Sequence, residues 1–236
     1  MANTLQTTID FIQPYCRYTA ANIGINNGPI IGIANVVKNI ILAAPFTWNF
    51  NRADTTITTV QGTSDYTAAL TTLGFVEKAS VADGSGNTWQ LTDILNEESL
   101  VHSVVQARPS ALCVYQNTGS SVVWRLSATP DAVYTIYVTY QSLSTQFTSV
   151  SNTWAPIPDA FSDVYNNLCL GYYMDAYQDP RGQQYIARGA ARLLARSTGL
   201  QEMDKAIFAQ TYMNFDMNQL LNQLKTQQAV QAHAQA

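Results

Sequence analysis

The segment that decides the fold reads Trp154-Ala155-Pro156-Ile157-Pro158-Asp159-Ala160-Phe161. Before it, short β-branched runs are separated by turn residues, whereas after it the apolar residues follow a helical spacing. Asp159 can cap the new helix, because its carboxylate accepts hydrogen bonds from the free N–H groups of a first turn. The segment therefore predicts a change from strands to helices near residue 157.

Three helices are predicted after this segment. The apolar positions of the first are Phe161, Val164, Tyr165, Leu168 and Tyr172. Residues 168–177 are apolar almost all round, which is typical of a buried helix. Asp179-Pro180 predicts the cap and first turn of a second helix, which Gly199 ends. The third begins near Leu200 and extends beyond Leu224.

The chain before residue 46 also predicts helices. Thr4 to Tyr18 suits a helix broken or kinked at Pro14, since proline cannot donate the internal hydrogen bond. Pro29 suits the first turn of a second helix, whose helical spacing continues to Ala44.

The middle of the chain predicts strands. The runs rich in β-branched and aromatic residues are Thr55–Val60, Phe75–Val81, Trp89–Ile94, Leu112–Gln116, Val122–Leu126 and Val133–Tyr140. In the last run, one strand face is predicted to carry Tyr134, Ile136, Val138 and Tyr140. Two of the connections, residues 83–87 and 117–119, predict hairpins. Short turns between successive strands favour an antiparallel sheet or a small barrel.

The predicted fold class is therefore α+β, with a helical bundle built from both termini and an inserted antiparallel β-domain. We assign residues 1–45 and 157–228 to the bundle and residues 46–156 to the inserted domain. Residues 229–236 are rich in Gln and Ala and form a C-terminal tail, which is expected to order only when bound.

The composition favours a subunit of an assembly. The 236 residues are 47% hydrophobic and only 12% charged, about half the usual charged fraction. A surface with so few charges belongs either to an ordinary neutral protein or to a subunit whose surface is hidden in an assembly. The second interpretation follows because interface cores are depleted in charge and enriched in Tyr. The net charge of −4 exerts no strong attraction on nucleic acid.

No cofactor, metal or membrane span is expected. Cys16, Cys113 and Cys169 are widely spaced and lack a CxxC pair, which argues against a disulfide framework or a zinc site. The start of the chain lacks the layout of a signal peptide, and the apolar run from Ile30 to Ala44 is too short and polar to cross a bilayer. We expect a product of the cytosol.

The sequence also predicts that the protein is not an enzyme. His102 lies near no recognisable nucleophile pattern, and His233 lies in the predicted tail. Glu97-Glu98 could be metal ligands, an acid–base pair or part of a solvated loop. Their polar neighbours favour the loop.

Arg188, Arg192 and Arg196 form a stripe at i, i+4, i+8 along one predicted helix. The stripe is either an ordinary solvated face or, in a ring, a contact with a neighbouring subunit or with DNA in a channel. Asp175 and Asp179 are candidate partners within the chain.

The last predicted helix carries two apolar stripes. The first comprises Phe208, Tyr212 and Phe215, which can dock on the bundle. The second comprises Met213, Met217, Leu220, Leu221 and Leu224. The second stripe fits either a longer core helix or a helix that binds in a partner's groove, with Met and Leu as adaptable anchors.

Four segments follow one another in a distinctive order: Pro45-Phe46-Thr47-Trp48-Asn49-Phe50-Asn51, Val60-Gln61-Gly62-Thr63-Ser64-Asp65-Tyr66, Gly74-Phe75-Val76-Glu77-Lys78-Ala79 and Trp154 to Phe161. With these segments and this order of helices and strands, the sequence resembles the head-to-tail connector or adaptor proteins of tailed bacteriophages, particularly short-tailed ones.

The resemblance implies a structural virion protein of the neck, assembled in the host cytoplasm. It implies a ring, commonly of twelve copies, which joins the portal to the tail and forms part of the DNA ejection channel. The implied partners are the portal protein, a tail nozzle or tail-tube protein, further copies of the chain, and DNA that passes without sequence recognition. The implied portal contacts are Phe208, Tyr212, Phe215, Met217, Leu220, Leu221 and Leu224.

Two other functions stay open at this point. One is a stopper or tail-completion protein, which would lie one layer further from the portal. The other is a β-rich module that binds a glycan by stacking Trp89, Trp124 or Tyr137 on sugar rings, although these side chains equally suit the core of a sheet.

Overall fold

The computed structural model describes residues 2–15, 29–94 and 103–213. It confirms the α+β class, with five α-helices and a large, mostly antiparallel sheet in these ranges. The described residues divide into two compact units. The β-unit is Leu42–Thr145, and the residues before and after it form the helical unit.

The helices lie close to the predicted positions. They are α1 Leu5–Ile12, α2 Pro29–Leu42, α3 Ser162–Ala176, α4 Gly182–Arg196 and α5 Glu202–Met213. Short 3-10 helices span Gln13–Tyr15, Asn49–Asn51 and Asp159–Phe161. The predicted break at Pro14 is confirmed, because α1 ends at Ile12 and the proline lies in the 3-10 helix. No described helix is long and apolar enough to cross a membrane.

Residues from both ends of the chain meet in the helical unit. The N–H of Leu5 donates to the carbonyl of Asn152 at 3.1 Å, and the buried Tyr165 hydroxyl on α3 donates to the carbonyl of Ala34 on α2 at 3.0 Å. The amide of Asn35 exchanges two hydrogen bonds with the backbone of Phe147. That the helices form a single bundle stays a prediction.

Small residues let α3 and α4 pack closely. The backbone of Gly171 lies against Gly182 and Ile186, and Gly189 lies against Leu168. Val164, Leu168 and Tyr173 on α3 are buried. The predicted burial of residues 168–177 is therefore confirmed as far as Met174 and is wrong for residues 175–177, which are exposed.

Nine strands are described. They are β1 Arg52–Thr58, β2 Asp65–Ala68, β3 Leu73–Ala82, β4 Thr88–Ile94, β5 Ser103–Gln106, β6 Ala111–Asn117, β7 Val122–Leu126, β8 Ala128–Thr129 and β9 Thr135–Ser142. Seven of them form one sheet in the order β1-β9-β3-β4-β6-β7-β2, and β5 pairs with β8. Both predicted hairpins, β3–β4 and β6–β7, are confirmed.

The inserted domain was predicted to be antiparallel, and this prediction is wrong for two pairs of strands. β4 pairs with β6 in parallel, and β5 pairs with β8 in parallel. A parallel pair requires a crossover connection rather than a tight turn, and the chain between β4 and β6 supplies it. Residues 95–102 of that connection lie outside the described ranges.

The seven-stranded sheet is not flat. Six inter-strand intervals of about 4.8 Å would separate the edge strands of a flat sheet by about 29 Å. The chain from Thr58 to Asp65 joins these two edges, and seven residues reach at most about 25 Å. Side chains of both edge strands, Ile57 and Tyr66, accordingly contact one core. The seven-stranded sheet is therefore bent enough for its two edge strands, β1 and β2, to contribute to the same core.

The core of the β-unit confirms the predicted face of the last strand run. Tyr134, Ile136, Val138 and Tyr140 are buried, while Tyr137 between them is 50% exposed. Trp124 is wholly buried at the centre of the same core.

Candidate interaction surfaces

The last described helix, α5, is weakly held by its own chain. Phe208 is the only buried side chain among its twelve residues, at 7% exposure. The Phe208 ring packs against Tyr212 with ring centroids 4.5 Å apart. Burial raises the pKa of Tyr172 on α3 to about 12, and the neighbouring Tyr212 and Asp175 add to this rise. Phe208 and Tyr212 of the first apolar stripe thus lie against the chain's own helical unit, as was predicted for this stripe, and Phe215 lies outside the described ranges.

The outer face of α5 carries two large apolar side chains that the sequence analysis did not single out. Met203 is 74% exposed and Ile207 is 49% exposed. They are four residues apart and so share one face of the helix. Their i, i+4 spacing in the sequence is consistent with a shared helix face. It is a weaker signal than the longer Met- and Leu-rich pattern that follows it.

Five of the predicted portal-contact residues lie outside the described ranges. They are Phe215, Met217, Leu220, Leu221 and Leu224. Their role stays a prediction based on their spacing in the sequence.

The three stripe arginines all lie on α4 and differ in their partners. Arg196 donates to the Asp163 carboxylate at 2.9 Å, and the Arg192 guanidinium lies 3.7 Å from the same group. The guanidinium of Arg188 lies 5.5 Å from the ring centroid of Tyr185. Two arginines therefore share one carboxylate, and the third faces an aromatic ring.

The predicted intrachain partners of the stripe were the wrong carboxylates. Asp175 accepts a hydrogen bond from Gln183 at 3.0 Å, and Asp179 pairs with Arg181 at 2.6 Å. The actual partner, Asp163, lies on α3. It is 29 residues from Arg192, so no local spacing reveals the pairing.

The aromatic side chains considered for glycan binding do not form one platform. Trp124 is wholly buried, and Trp89 packs against the core with the Arg108 guanidinium 4.0 Å from its ring centroid. Of the three, Tyr137 alone is substantially exposed. A single tyrosine among Thr and Ser side chains offers little stacking area for a sugar chain.

The residues considered for catalysis or metal binding lie largely outside the described ranges. His102, His233, Glu97 and Glu98 all fall there. Within residues 2–15, 29–94 and 103–213, no cluster of three or more His, Cys, Asp or Glu side chains could hold a metal ion.

The chain matches a known protein family. Residues 33–219, which include most of α2, the whole β-unit and α3 to α5, match the family described as SU10 adaptor protein. A search of curated proteins found no match. The matched segment covers more than three quarters of the chain. The chain therefore belongs to the SU10 adaptor protein family, a family of structural, non-enzymatic components of bacteriophage virions.

Proposed function

We propose that the protein forms the adaptor ring that joins the portal to the tail and lines part of the DNA ejection channel. The family supports an adaptor role in a virion. The low charge of the chain supports extensive contact with other subunits. By the resemblance of the sequence, the ring contains about twelve copies, and repetition in a closed ring makes individually weak contacts sufficient.

The observation that carries the portal contact is the apolar pattern of the sequence that follows α5. The helix itself is held by the buried Phe208, so the portal contact is assigned to the chain after it. After Met213, the sequence places Met217, Leu220, Leu221 and Leu224 at helical spacing. We propose that the segment after Met213, as far as Leu224, enters a groove of the portal protein, with residues 229–236 ordering on contact.

The loops of the β-unit would then face the next tail component, a nozzle or tail-tube protein. The hydrogen bonds within the turns of the unit support this role. The Tyr66 hydroxyl donates to the carbonyl of Val60 and accepts from its N–H, both at 3.0 Å. The N–H of Gly62 donates to the carbonyl of Pro130 at 3.0 Å. Turns fixed in this way are preorganised for a partner, because little entropy is lost when they bind.

The portal contact is tested with two matched triple variants. Replacing Leu220, Leu221 and Leu224 by Ala removes apolar side chains, while replacing Asn218, Gln219 and Gln223 by Ala changes only polar ones. Burying a leucine contributes about 1.5–3 kcal/mol, so the leucine variant should bind the isolated portal at least about a hundredfold more weakly. The polar variant should bind within a few-fold of the unchanged protein.

Binding is measured with purified portal by biolayer interferometry. Equal affinities of the leucine variant and the unchanged protein would show that this segment does not contact the portal.

A further inference from the structure

One face of the helical unit combines aromatic rings with a cation. Tyr15, which is 44% exposed, lies 6.0 Å from Tyr185 in an edge-to-face arrangement. The exposed Arg188 guanidinium lies over the other end of this pair, 5.5 Å from the Tyr185 ring centroid. We call Tyr15, Tyr185 and Arg188 the Tyr–Arg face. Tyr and Arg are the residue types that most often dominate the binding energy of protein interfaces.

The positive charge of this face is not compensated within the described helical unit. The other arginines described there have carboxylate partners: Arg181 pairs with Asp179, and Arg192 and Arg196 share Asp163. Arg188 forms no ion pair with any described residue. An interface that covers Arg188 therefore needs to supply a carboxylate.

A second face of the same unit has the opposite charge. Asp204 lies on α5 between Met203 and Ile207, both of which are exposed. We call these three residues the Met–Asp face. The remaining carboxylates described in the helical unit each have a partner: Asp10 with Gln6, Asp159 with Asn3, Asp163 with Arg196, Asp175 with Gln183, Asp179 with Arg181, and Glu202 with Lys205. Asp204, which is half-buried in the first turn of α5, pairs with no other described side chain.

The two faces complement each other in charge and in chemistry. One presents a cation beside two aromatic rings, and the other presents an anion beside a thioether and an aliphatic side chain. Methionine sulfur packs favourably against aromatic rings. No ion pair joins Arg188 to Asp204 within the chain. Two complementary faces on one chain are the requirement for a head-to-tail contact between identical copies, which closes into a ring when the rotation permits.

We propose that the Tyr–Arg face of one copy binds the Met–Asp face of the next copy, with Arg188 paired to the neighbour's Asp204. This proposal rests on the proposed ring. It assigns Arg188 to the subunit interface rather than to the DNA channel. DNA binding depends on several free cations, whereas Asp163 already neutralises part of the charge of Arg192 and Arg196.

A charge exchange between two variants tests the contact. In Arg188→Glu the contact juxtaposes two acidic groups, and in Asp204→Arg it juxtaposes two basic groups. Each variant alone should therefore self-associate more weakly than the unchanged protein. In an equimolar mixture, Glu at 188 meets Arg at 204, and Arg188 meets Asp204, so every contact between unlike copies is again attractive. Arg181→Glu is the matched control, because it reverses a charge that is paired locally with Asp179.

Self-association is measured by sedimentation velocity at the highest soluble concentration, with circular dichroism verifying the fold. We expect association about tenfold or more weaker for each variant alone, recovery in the mixture, and no change for Arg181→Glu. Absence of association in the unchanged protein, or a mixture that behaves like its components, would overturn the proposal. So would loss of affinity for DNA in Arg188→Glu with self-association intact.

The self-association measurement is independent of the portal-binding measurement. The variant with Ala at 220, 221 and 224 should self-associate normally even where its portal binding is lost.

Discussion

Replacement of Gly171 by Ala should separate α3 from α4 and destabilise the helical unit. A Cβ at this position would lie 2.6 Å from the backbone nitrogen of Ile186 and 2.9 Å from the carbonyl oxygen of Gly182. Both are backbone atoms of α4, so the contact is relieved only if the helix itself moves. Ordinary contacts of a Cβ begin at 3.4 Å, so the shortfall against 2.6 Å is about 0.8 Å.

The expected loss of stability follows from two opposing contributions. Overpacking costs typically 1–3 kcal/mol, and we take about 3 kcal/mol because backbone rather than flexible side chains must move. Alanine restores about 0.5–1 kcal/mol of helix propensity relative to glycine. The free energy of unfolding should therefore fall by about 2 kcal/mol.

Urea unfolding monitored by circular dichroism at 222 nm measures this loss, and Gly32→Ala is the matched control. Gly32 also lies in a helix, but nothing lies within 4 Å of a Cβ built on it. This variant should therefore be stabilised by about 0.5–1 kcal/mol. If Gly171→Ala is as stable as Gly32→Ala, then α3 and α4 do not pack as closely as described.

Three further predictions concern single side chains. Burial lowers the pKa of Lys38 from its ordinary value of 10.5 to about 8, so between these pH values the unfolded chain retains a proton that the folded chain has released. The free energy of unfolding of the unchanged protein should therefore rise relative to that of Lys38→Met as the pH increases from 8 to 10.5. Urea unfolding measures both free energies. A difference between them that stays constant across this pH range would contradict the burial of Lys38. Tyr66→Phe removes the hydroxyl that holds turn 60–63 and should cost about 1–2 kcal/mol, with faster amide exchange in that turn; unchanged exchange would show that the hydroxyl does not fix it. Asp163→Asn should lower the free energy of unfolding by only about 0.2–1 kcal/mol, because the ion pair of Asp163 with Arg196 is partly exposed. A double-mutant cycle with Arg196→Ala measures the coupling energy, and a value well above this range would contradict the prediction.

The sequence predicted the elements well where local chemistry is distinctive. Pro29 and Pro14 marked the start of α2 and the end of α1, because proline lacks the N–H that a helix interior requires. The alternation of Tyr134, Ile136 and Val138 with exposed residues revealed the buried face of β9, since side chains alternate across a strand.

The elements that were missed depend on tertiary pairing. β2 has four residues, Asp65–Ala68, and is recognisable only from its ladder with β7. The parallel pairing of β4 with β6 likewise could not be predicted from the two segments alone. Side chains alternate in the same way in parallel and antiparallel strands, so the alternation does not reveal the direction of pairing.

The candidate surfaces were predicted less completely for the same reason. The stripe of Arg188, Arg192 and Arg196 is visible in the sequence because its members lie on one helix. The proximity of Tyr15 to Tyr185 joins residues 170 positions apart and has no local signature. The exposure of Met203 likewise depends on which face of α5 carries Phe208 into the helical unit.

Cryo-electron microscopy of the virion neck tests the proposed adaptor position most directly. We predict a ring of this chain immediately below the portal, with the segment after Met213, as far as Leu224, in contact with portal subunits. A ring separated from the portal by a layer of another protein would contradict the adaptor position and would identify the chain as a stopper or tail-completion protein.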